Sequence, residues 1–335
     1  MKRTRIISLT AGLLFVAGGL ATTACSKKDE RNNKAKAPKT SGKKVTGPAG
    51  KTTPKPDDGK AKAKSPAGDG YAIKFDRPVK VGFKYHYTNT GKQSRKILMG
   101  GKPTPGNVEL TYDYAADVTV KKVNDKGSPT VEEHKVDKCE AEINGKKQTV
   151  LKKGQVVVAT LVDGKKQYKV DGKDADPATA KVLGEIIDLD EDMDTDKVFD
   201  VVGKKKKVGD SWEPNKAELL SGFAKKLKDA ALPLKAENIS GSIKLTGVGE
   251  QDGIKVLNLS ADVTLKKAAP KMGPIKVTDG SIHMTHSGWI PQDPASTAGD
   301  FGVQKVTMHF EGEFRGKKLI ADMEQEATEK RLAVK

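Results

Sequence analysis

The sequence predicts a mainly β fold of the β-rich α+β type, with long antiparallel strands in meander order. Polar and apolar residues alternate through VELTYDYAADVTVKKV (108–123) and GIKVLNLSADVTLKKA (253–268), as they do in strands with one buried face. Short turn signals, namely NDKG, INGK, VDGK, EQDG and TDGS, separate such runs. We therefore expect tight hairpins that link neighbouring strands throughout residues 71–335.

Three further runs support this prediction. KYHYTNT (84–90) places Tyr85 and Tyr87 on one face of a strand and His86 on the other. VTMHFEGEF (306–314) alternates in the same way. GQVVVATLV (154–162) is continuously apolar, which predicts a strand that is buried on both faces.

Two segments break the strand pattern and predict short amphipathic helices that cover the sheet. In DADPATAKVLGEIIDL (174–189), Asp176 is a candidate N-cap and Pro177 suits the first helical position. NKAELLSGFAKKLKDAAL (215–232) begins with Asn215 and has Glu218 three residues later, which resembles a capping box. The apolar stripes comprise Thr179, Val182, Ile186 and Leu189 in the first helix and Leu220, Phe223, Leu227 and Ala231 in the second.

Collinear repeats predict two similar halves, 71–200 and 201–335. KVGFKY (80–85) resembles KVGDSW (207–212), ADVTVKK (116–122) resembles ADVTLKK (261–267), and GKK recurs at 164–166 and 316–318. The spacing predicts a duplicated β unit with a helix inserted in the second copy. It leaves open whether each half forms its own sheet or both share one. In KVGDSW we expect Gly209 and Asp210 to form a tight turn and Trp212 to pin the sheet, with ligand contact as the alternative.

Residues 1–24 have the layout of a bacterial signal peptide. Lys2, Arg3 and Arg5 precede an apolar stretch, and small residues then lead to Cys25. LATTAC resembles a lipobox, although Thr22 stands where leucine is usual. This resemblance implies that Cys25 carries a diacylglyceryl group and further acyl chains such as palmitate. An ordinary cleaved signal and an uncleaved anchor are the alternatives.

Residues 25–70 predict a disordered basic tether. This stretch is rich in Lys, Pro and Gly, and it carries about half of the net charge of +17 although it is a small part of the 335 residues. We expect either a passive spacer or contact with anionic polymers. Lys2, Arg3 and Arg5 carry +3, only +6 is left for residues 71–335, and aromatic residues make up only 5% of the chain. This composition argues against nucleic-acid binding.

Motifs for catalysis, metal binding or cofactor binding are lacking, so we predict a protein without catalytic activity and without a cofactor. His283 and His286 in HMTH are three residues apart, which places them on opposite faces of a strand and argues against a shared metal. The acidic run 188–197 lacks the glycine and glutamate of a calcium loop, and we expect it to be a solvated loop, facing KKKK (204–207). Cys139 is expected to be a buried strand residue.

With LATTAC, the tether, VGFKYHY (81–87) and VGDSW (208–212), the chain resembles uncharacterised bacterial envelope lipoproteins. Its pattern is also similar, at the level of fold, to lipoprotein-localisation carriers. The resemblance implies an envelope protein anchored through Cys25, in the outer membrane because Ser26 is not aspartate, and facing the periplasm. Inner-membrane retention and secretion are alternatives. The expected function is binding of an apolar ligand or an envelope protein partner. A ligand-free structural role and a hydrolase are the alternatives.

Overall fold

A computed structural model describes residues 70–189, 194–226, 234–269 and 275–334. Residues 1–24, Cys25 and nearly all of the tether lie outside the described residues, as do parts of the acidic run and of the second predicted helix. In the described part of the chain, no helix has both the length and the apolar character needed to cross a membrane.

The described residues form a mainly β fold, as predicted. The strands are β1 (Tyr71–Ala72), β2 (Lys84–Met99), β3 (Lys102–Pro103), β4 (Val108–Val123), β5 (Pro129–Ile143), β6 (Lys146–Leu151), β7 (Val156–Val162), β8 (Lys165–Val170), β9 (Lys173–Asp174), β10 (Lys205–Lys206), β11 (Ser211–Trp212), β12 (Ile239–Gln251), β13 (Ile254–Lys266), β14 (Lys276–Pro291), β15 (Gly299–Phe314) and β16 (Lys317–Ala333).

The described helices are α1 (Pro177–Ile186), α2 (Thr195–Val198) and α3 (Lys216–Lys226), and a 3-10 turn covers Ala236–Asn238. The Asp176 side chain caps α1 by accepting hydrogen bonds from the backbone N–H groups of Ala178 and Thr179, as predicted. Asn215 caps α3 in the same manner. The backbone N–H of Asn215 donates to the Val198 carbonyl, so only one half of the expected capping box is seen.

Fourteen of these strands share one antiparallel sheet. Its main path runs β11-β12-β13-β14-β15-β16-β2-β4-β5-β7-β8-β9, with β3 on β2 and β6 on β5. The C-terminal strand β16 pairs with β2 from Leu319 opposite Met99 to Ala333 opposite Tyr85. The two halves of the chain therefore share a single continuous sheet, which answers the question that the repeats left open.

The repeated motifs take matching places in the two halves. ADVTVKK lies in β4, ADVTLKK ends β13, and the two GKK motifs form the β7–β8 and β15–β16 hairpins. KVGFKY leads directly into β2, whereas α3 stands between KVGDSW and β12. This is the position at which the repeat spacing predicts an inserted helix.

The hairpins follow the predicted turn chemistry at most positions. Asn144, Asp163, Asp171 and Asp252 have φ of +49° to +50°, and the glycine after each has φ of +73° to +81°. Left-handed backbone at two successive residues is typical of type I′ hairpin turns, which suit the twist of paired strands.

Two strand predictions need correction. TDGS (278–281) lies within β14 instead of forming a turn, and the register of β14 against β15 shifts between Val277 and Asp279, as at a bulge. In β7, Val157 and Ala159 are buried while Val156 and Val158 are only half-buried, so one face is buried and not both. The second face carries valines because it is partly covered, which a continuous apolar run does not distinguish from full burial.

Three apolar clusters lie on one face of the sheet, which we call the inward face. The first-half cluster packs β2, β4, β5, β7 and β8 against Val182, Leu183 and Ile186 of α1. The second-half cluster packs β12 to β16 against Leu219 and Phe223 of α3. A smaller third cluster joins the segment before β2 to β12, β13 and β14. The two predicted helices thus cover the sheet.

The acidic run differs from the predicted solvated loop where it is described. Asp188 and Asp196 are buried, and Asp188 forms an ion pair with Lys166 rather than with the KKKK segment. Asp196 accepts a hydrogen bond from the backbone N–H of Phe75, and its own N–H donates to Asp76. Backbone donors stabilise the carboxyl groups of Asp196 and Asp76, and Lys166 stabilises that of Asp188, which composition alone does not show.

Candidate functional site

The residues that the sequence singles out do not converge on one site. Cys25 lies outside the described residues. Cys139 is buried in β5, as predicted, and burial raises the pKa of its thiol to about 12. His283 contacts Asp262 on the outer face, whereas His286 faces inward with Met284, so the two histidines lie on opposite faces as expected. Trp212 is half-buried and donates from Nε1 to the Phe199 carbonyl, a pinning contact.

The most polar part of the inward face lies where β14, β15, β16 and β2 run side by side, and we call it the seam. Residues in register share a face, so three rows cross these strands. The rows are His286–Gln304–Ala327–Gly91, Gly302–Glu329–Asn89 and Asp300–Arg331–Tyr87. The seam therefore places amide, imidazole, carboxylate and guanidinium groups between the first-half and second-half clusters.

Small residues keep the seam shallow. A Cβ added at Gly302 would lie 2.6 Å from the His286 ring, and one added at Gly91 would lie 2.4 Å from the Tyr112 ring. Both flat side chains therefore lie across a neighbouring glycine, close to the sheet. Bulkier residues at either glycine would push these rings away from the sheet.

Arg331 is the charged centre of the seam and is only 9% exposed. Its guanidinium lies 3.4 Å from a carboxylate oxygen of Asp300 and 3.4 Å from one of Glu329. Burial opposes the charge of Arg331, but these two carboxylates outweigh it and hold the pKa of Arg331 above its usual value. The arginine therefore stays charged and fixes both acidic side chains.

Several buried polar atoms of the seam lack a hydrogen-bond partner among the described residues. They are Asn89 Oδ1, Gln93 Oε1, His286 Nδ1, Gln304 Nε2 and Arg331 Nε. Buried polar groups are almost always paired with protein or with water, and each unpaired one costs about 1–3 kcal/mol. Water or a bound molecule is therefore expected to supply these hydrogen bonds.

Two clefts open on either side of Asp300. The first, the seam cleft, has an apolar wall of Phe75, Leu259 and Ile290 and a polar wall of His286, Gln304, Asp300 and Glu329. Its cavity volume is about 30 Å³. The second cleft is lined by Arg77, Phe83, Tyr85 and Arg331 among others, with a volume of about 50 Å³. Each holds a few water molecules at most in this state.

The segment with Phe75 forms one wall of the seam cleft and is held by polar contacts as well as by packing in the third apolar cluster. Arg77 donates from Nη2 to the Pro291 carbonyl (2.7 Å) and from Nη1 to the Asp293 carbonyl (2.8 Å). On the other side, Phe75 and Asp76 contact Asp196. Burial is the main reason that the pKa of Asp76 is raised, to about 7, and Asp196 and Asp194 add to it.

A second polar network lies deeper in the first half. Tyr85 donates to Glu132 (2.8 Å), and the Tyr114 hydroxyl lies 3.1 Å from His134 Nδ1. Glu132 and His134 are 0% and 1% exposed. Because these groups have almost no contact with solvent, the arrangement is suited to holding the strands together rather than to receiving a substrate.

Among the residues that the structure describes, one group of side chains has ligand atoms close enough to hold a metal ion. His86, Asp117 and Asp137 meet on the outer face, where a register shift between β4 and β5 brings Asp137 alongside Asp117. His86 Nδ1 lies 3.0 Å from Asp117, and Lys153 forms an ion pair with Asp137. Lys153 therefore already offsets the charge of Asp137.

The sequence analysis missed the seam because it did not identify β16. The 17 residues of β16 include ADMEQEATEKR, in which glutamates and lysine dominate. The alternation of Leu319, Ala321 and Met323 was the available signal for a strand with one buried face. If this alternation continues along β16, every second residue faces inward, and Glu329 and Arg331 lie on the inward face.

Comparison with known proteins identifies no relative by sequence, because no family model and no curated protein matches the chain. Three solved structures are similar in part. Lipovitellin, in a structure describing lipid–protein interactions, aligns with TM-score 0.25 and 8% identity, covering 76% of this chain and 25% of its own. This chain thus spans a quarter of the lipovitellin chain.

The other two are bacterial outer-membrane proteins. An outer-membrane channel from Pseudomonas putida F1 aligns with TM-score 0.18 and 6% identity, covering 80% of this chain and 98% of the channel. A loop-deletion mutant of OmpT, an outer membrane protein of Vibrio cholerae, aligns with TM-score 0.15 and 9% identity over 76% of this chain and 100% of that chain.

Proposed function

We propose that this protein is a non-enzymatic bacterial envelope lipoprotein, anchored through Cys25 to the periplasmic side of the outer membrane, that binds an amphipathic ligand at the seam cleft. The observation that carries the binding proposal is the pairing of two unlike walls. Phe75, Leu259 and Ile290 present apolar surface, and in the same cleft His286 and Gln304 present buried polar atoms without partners. Pockets that combine apolar surface with a few placed polar groups are typical of ligand sites.

A bound molecule larger than water requires the cleft to widen from its volume of about 30 Å³. The movable wall is the segment around Phe75, because it belongs to no long strand and is held by Asp196 and Arg77. We infer that the ligand displaces this segment from Leu259 and Ile290. Replacing Phe75 by Ala should enlarge the cleft and so increase the amount of bound ligand.

Mass spectrometry of protein extracted gently, without added detergent, tests the binding proposal. We expect a co-purifying amphiphile with the full chain and its loss in Gln304→Leu, which removes the polar wall without adding bulk. Gln167→Leu is the matched control, since Gln167 is exposed on β8 and far along the sheet from the seam. Equal occupancy in the two variants would contradict a site at the seam.

A ligand-free structural role is the second candidate, and the small volumes of the two clefts, about 30 Å³ and 50 Å³, favour it. In that case waters fill the clefts and satisfy the polar atoms of the seam. Mass spectrometry would then detect no stoichiometric amphiphile with the wild-type protein or with the Phe75→Ala variant.

The anchor is tested separately in living bacteria. Cys25→Ser should move the full chain from the membrane fraction to the soluble periplasmic fraction, because acyl chains contribute about 0.8 kcal/mol for each buried methylene. Cys139→Ser is the matched control and should stay with the membrane, since Cys139 is buried within β5. Retention of the Cys25→Ser protein in the membrane fraction would refute lipidation at this residue.

A further inference from the structure

The polar wall of the seam cleft has a specific hydrogen-bonding pattern. Gln304 Nε2 is a donor without a partner, and His286 Nδ1 is a second buried atom without one. Asp300 and Glu329 contribute carboxylate oxygens to the same wall. A ligand group that satisfies this wall must accept a hydrogen bond from Gln304 and donate hydrogen bonds to the carboxylates.

The negative charge of the cleft argues against anionic ligands. Asp300 and Glu329 are the charged residues among those that line the cleft in the described structure. Their partner Arg331 approaches them from the row beside the cleft and is itself almost fully buried. Burial lowers the pKa of His286 to about 4, so its ring is neutral near pH 7 and adds no positive charge. A phosphate or carboxylate would therefore meet acidic oxygens without a free cation to compensate.

A simple cation fits poorly for the opposite reason. An ammonium group can donate to Asp300 and Glu329, but it has no lone pair to accept from Gln304. Hydroxyl groups both donate and accept, and a ring with several hydroxyls satisfies acceptors and donors on one wall at once. His286 lies flat over Gly302, which leaves the wall low enough for a ring to approach.

Resting on the proposed binding at the seam, we infer that the ligand of this cleft is an uncharged amphiphile with a polyhydroxylated, sugar-like head group. The head group lies against Gln304, His286, Asp300 and Glu329, and the apolar chain lies against Leu259 and Ile290 once Phe75 has moved. The site discriminates against phosphate, carboxylate and ammonium head groups on the same chain.

Four probes with the same octyl chain test this inference: octyl glucoside, nonanoate, octyl phosphate and octylamine, each below its micellar concentration. Trp289 lines the cleft and provides a fluorescence signal for titration of the full chain. We expect octyl glucoside to bind at least tenfold more tightly than the three charged probes. Gln304→Leu should remove this preference, whereas Gln167→Leu should keep it.

The outcomes separate this inference from the function on which it rests. Tighter binding of any charged probe than of octyl glucoside would overturn the sugar-like head group and leave an amphiphile site in place. Binding of none of the four probes, with Phe75→Ala also negative, would overturn both proposals. Because Gln304 is half-buried on the sheet surface, its leucine variant is expected to fold, and a circular dichroism melt checks this directly.

Discussion

The two halves of the sheet have the same strand order but fill their cores with different chemistry. The first-half cluster contains Tyr85, Tyr87, Tyr112, Tyr114 and Tyr168, whereas the second-half cluster relies on aliphatic residues with Met284, Met308 and Met323. Each tyrosine brings a hydroxyl that needs a partner when buried. The core of the first half therefore needs a hydrogen-bond partner for each buried hydroxyl, whereas the core of the second half needs only close packing of apolar side chains.

The tyrosine hydroxyls bind the first half to its helix. Tyr87 donates to the Ile186 carbonyl (3.0 Å), and Tyr168 donates to the Ile187 carbonyl (3.4 Å). These carbonyls lie at the C-terminal end of α1, where backbone oxygens lack partners within the helix. The comparison teaches that the first half has one defined helix position, set by hydrogen bonds, whereas α3 is held on the second half through Leu219 and Phe223.

The largest expected effect comes from removing volume in the second half. Phe310 is 1% exposed and packs beside Gly280, whose missing side chain makes room for the ring. Phe310→Ala should lower the free energy of unfolding by about 3–5 kcal/mol, since it leaves a cavity in an apolar core. Urea denaturation followed by circular dichroism measures this. A loss below about 1 kcal/mol would show that the second half repacks freely.

Two conservative substitutions compare the halves directly. Tyr114→Phe removes only a hydroxyl but leaves buried His134 without that partner, so it should cost about 1–3 kcal/mol. Met308→Leu conserves volume in the second half and should cost less than about 1.5 kcal/mol. Urea unfolding of both variants ranks them. If Met308→Leu proves the more harmful, the polar network does not distinguish the halves.

The smallest effects concern pH, and they have opposite signs in the two halves. Burial raises the pKa of Glu185, on α1, to about 7, although Lys166, Lys181 and Arg95 oppose this shift. The folded state thus holds a proton that the unfolded state has lost, so this group reduces stability as pH rises from about 4.5 to 7. Glu185→Gln should remove that reduction and so raise the free energy of unfolding at pH 8.

His286, in the second half, acts in the other direction. With its pKa lowered from 6.5 to about 4 by burial, the unfolded state binds the extra proton, and stability falls as pH drops through this range. His286→Gln should reduce this loss of stability between pH 6.5 and pH 4 and leave the free energy of unfolding at pH 8 nearly unchanged. Thermal melts of both variants from pH 4 to pH 8 provide the measurement. Parallel curves for wild type and variants would contradict both assignments.

Much of the fold could be predicted because its signals are local. Alternation identified β4 and β13, paired residues such as Asp252 and Gly253 marked hairpins, and Asp176 with Pro177 marked the start of α1. These features depend on neighbours in the chain, so composition and spacing report them. The β14 bulge escaped because its Asp-Gly pair has the same letters as a turn, and only pairing with β15 decides between them.

The seam could not be predicted because its members come from four strands that are distant in sequence. His286, Gln304, Glu329 and Asn89 become neighbours only through the registers of β14, β15, β16 and β2. The residue type of Arg331 gives no sign that it faces the core, which only the alternation along β16 indicates. Its charge is compatible with burial because the Asp300 and Glu329 carboxylates lie beside it, and the sequence does not show that contact.

The pairing of β16 with β2 has a consequence for how this protein is made. Because β2 begins the sheet of the first half and β16 follows the other strands of the second half, the sheet stays divided until the second half has been synthesised. A chain cut short before Lys317 would leave the long strands β15 and β2 as bare edges, which are prone to aggregation. Pairing of β16 with β15 and β2 therefore covers both of these long edges in one step.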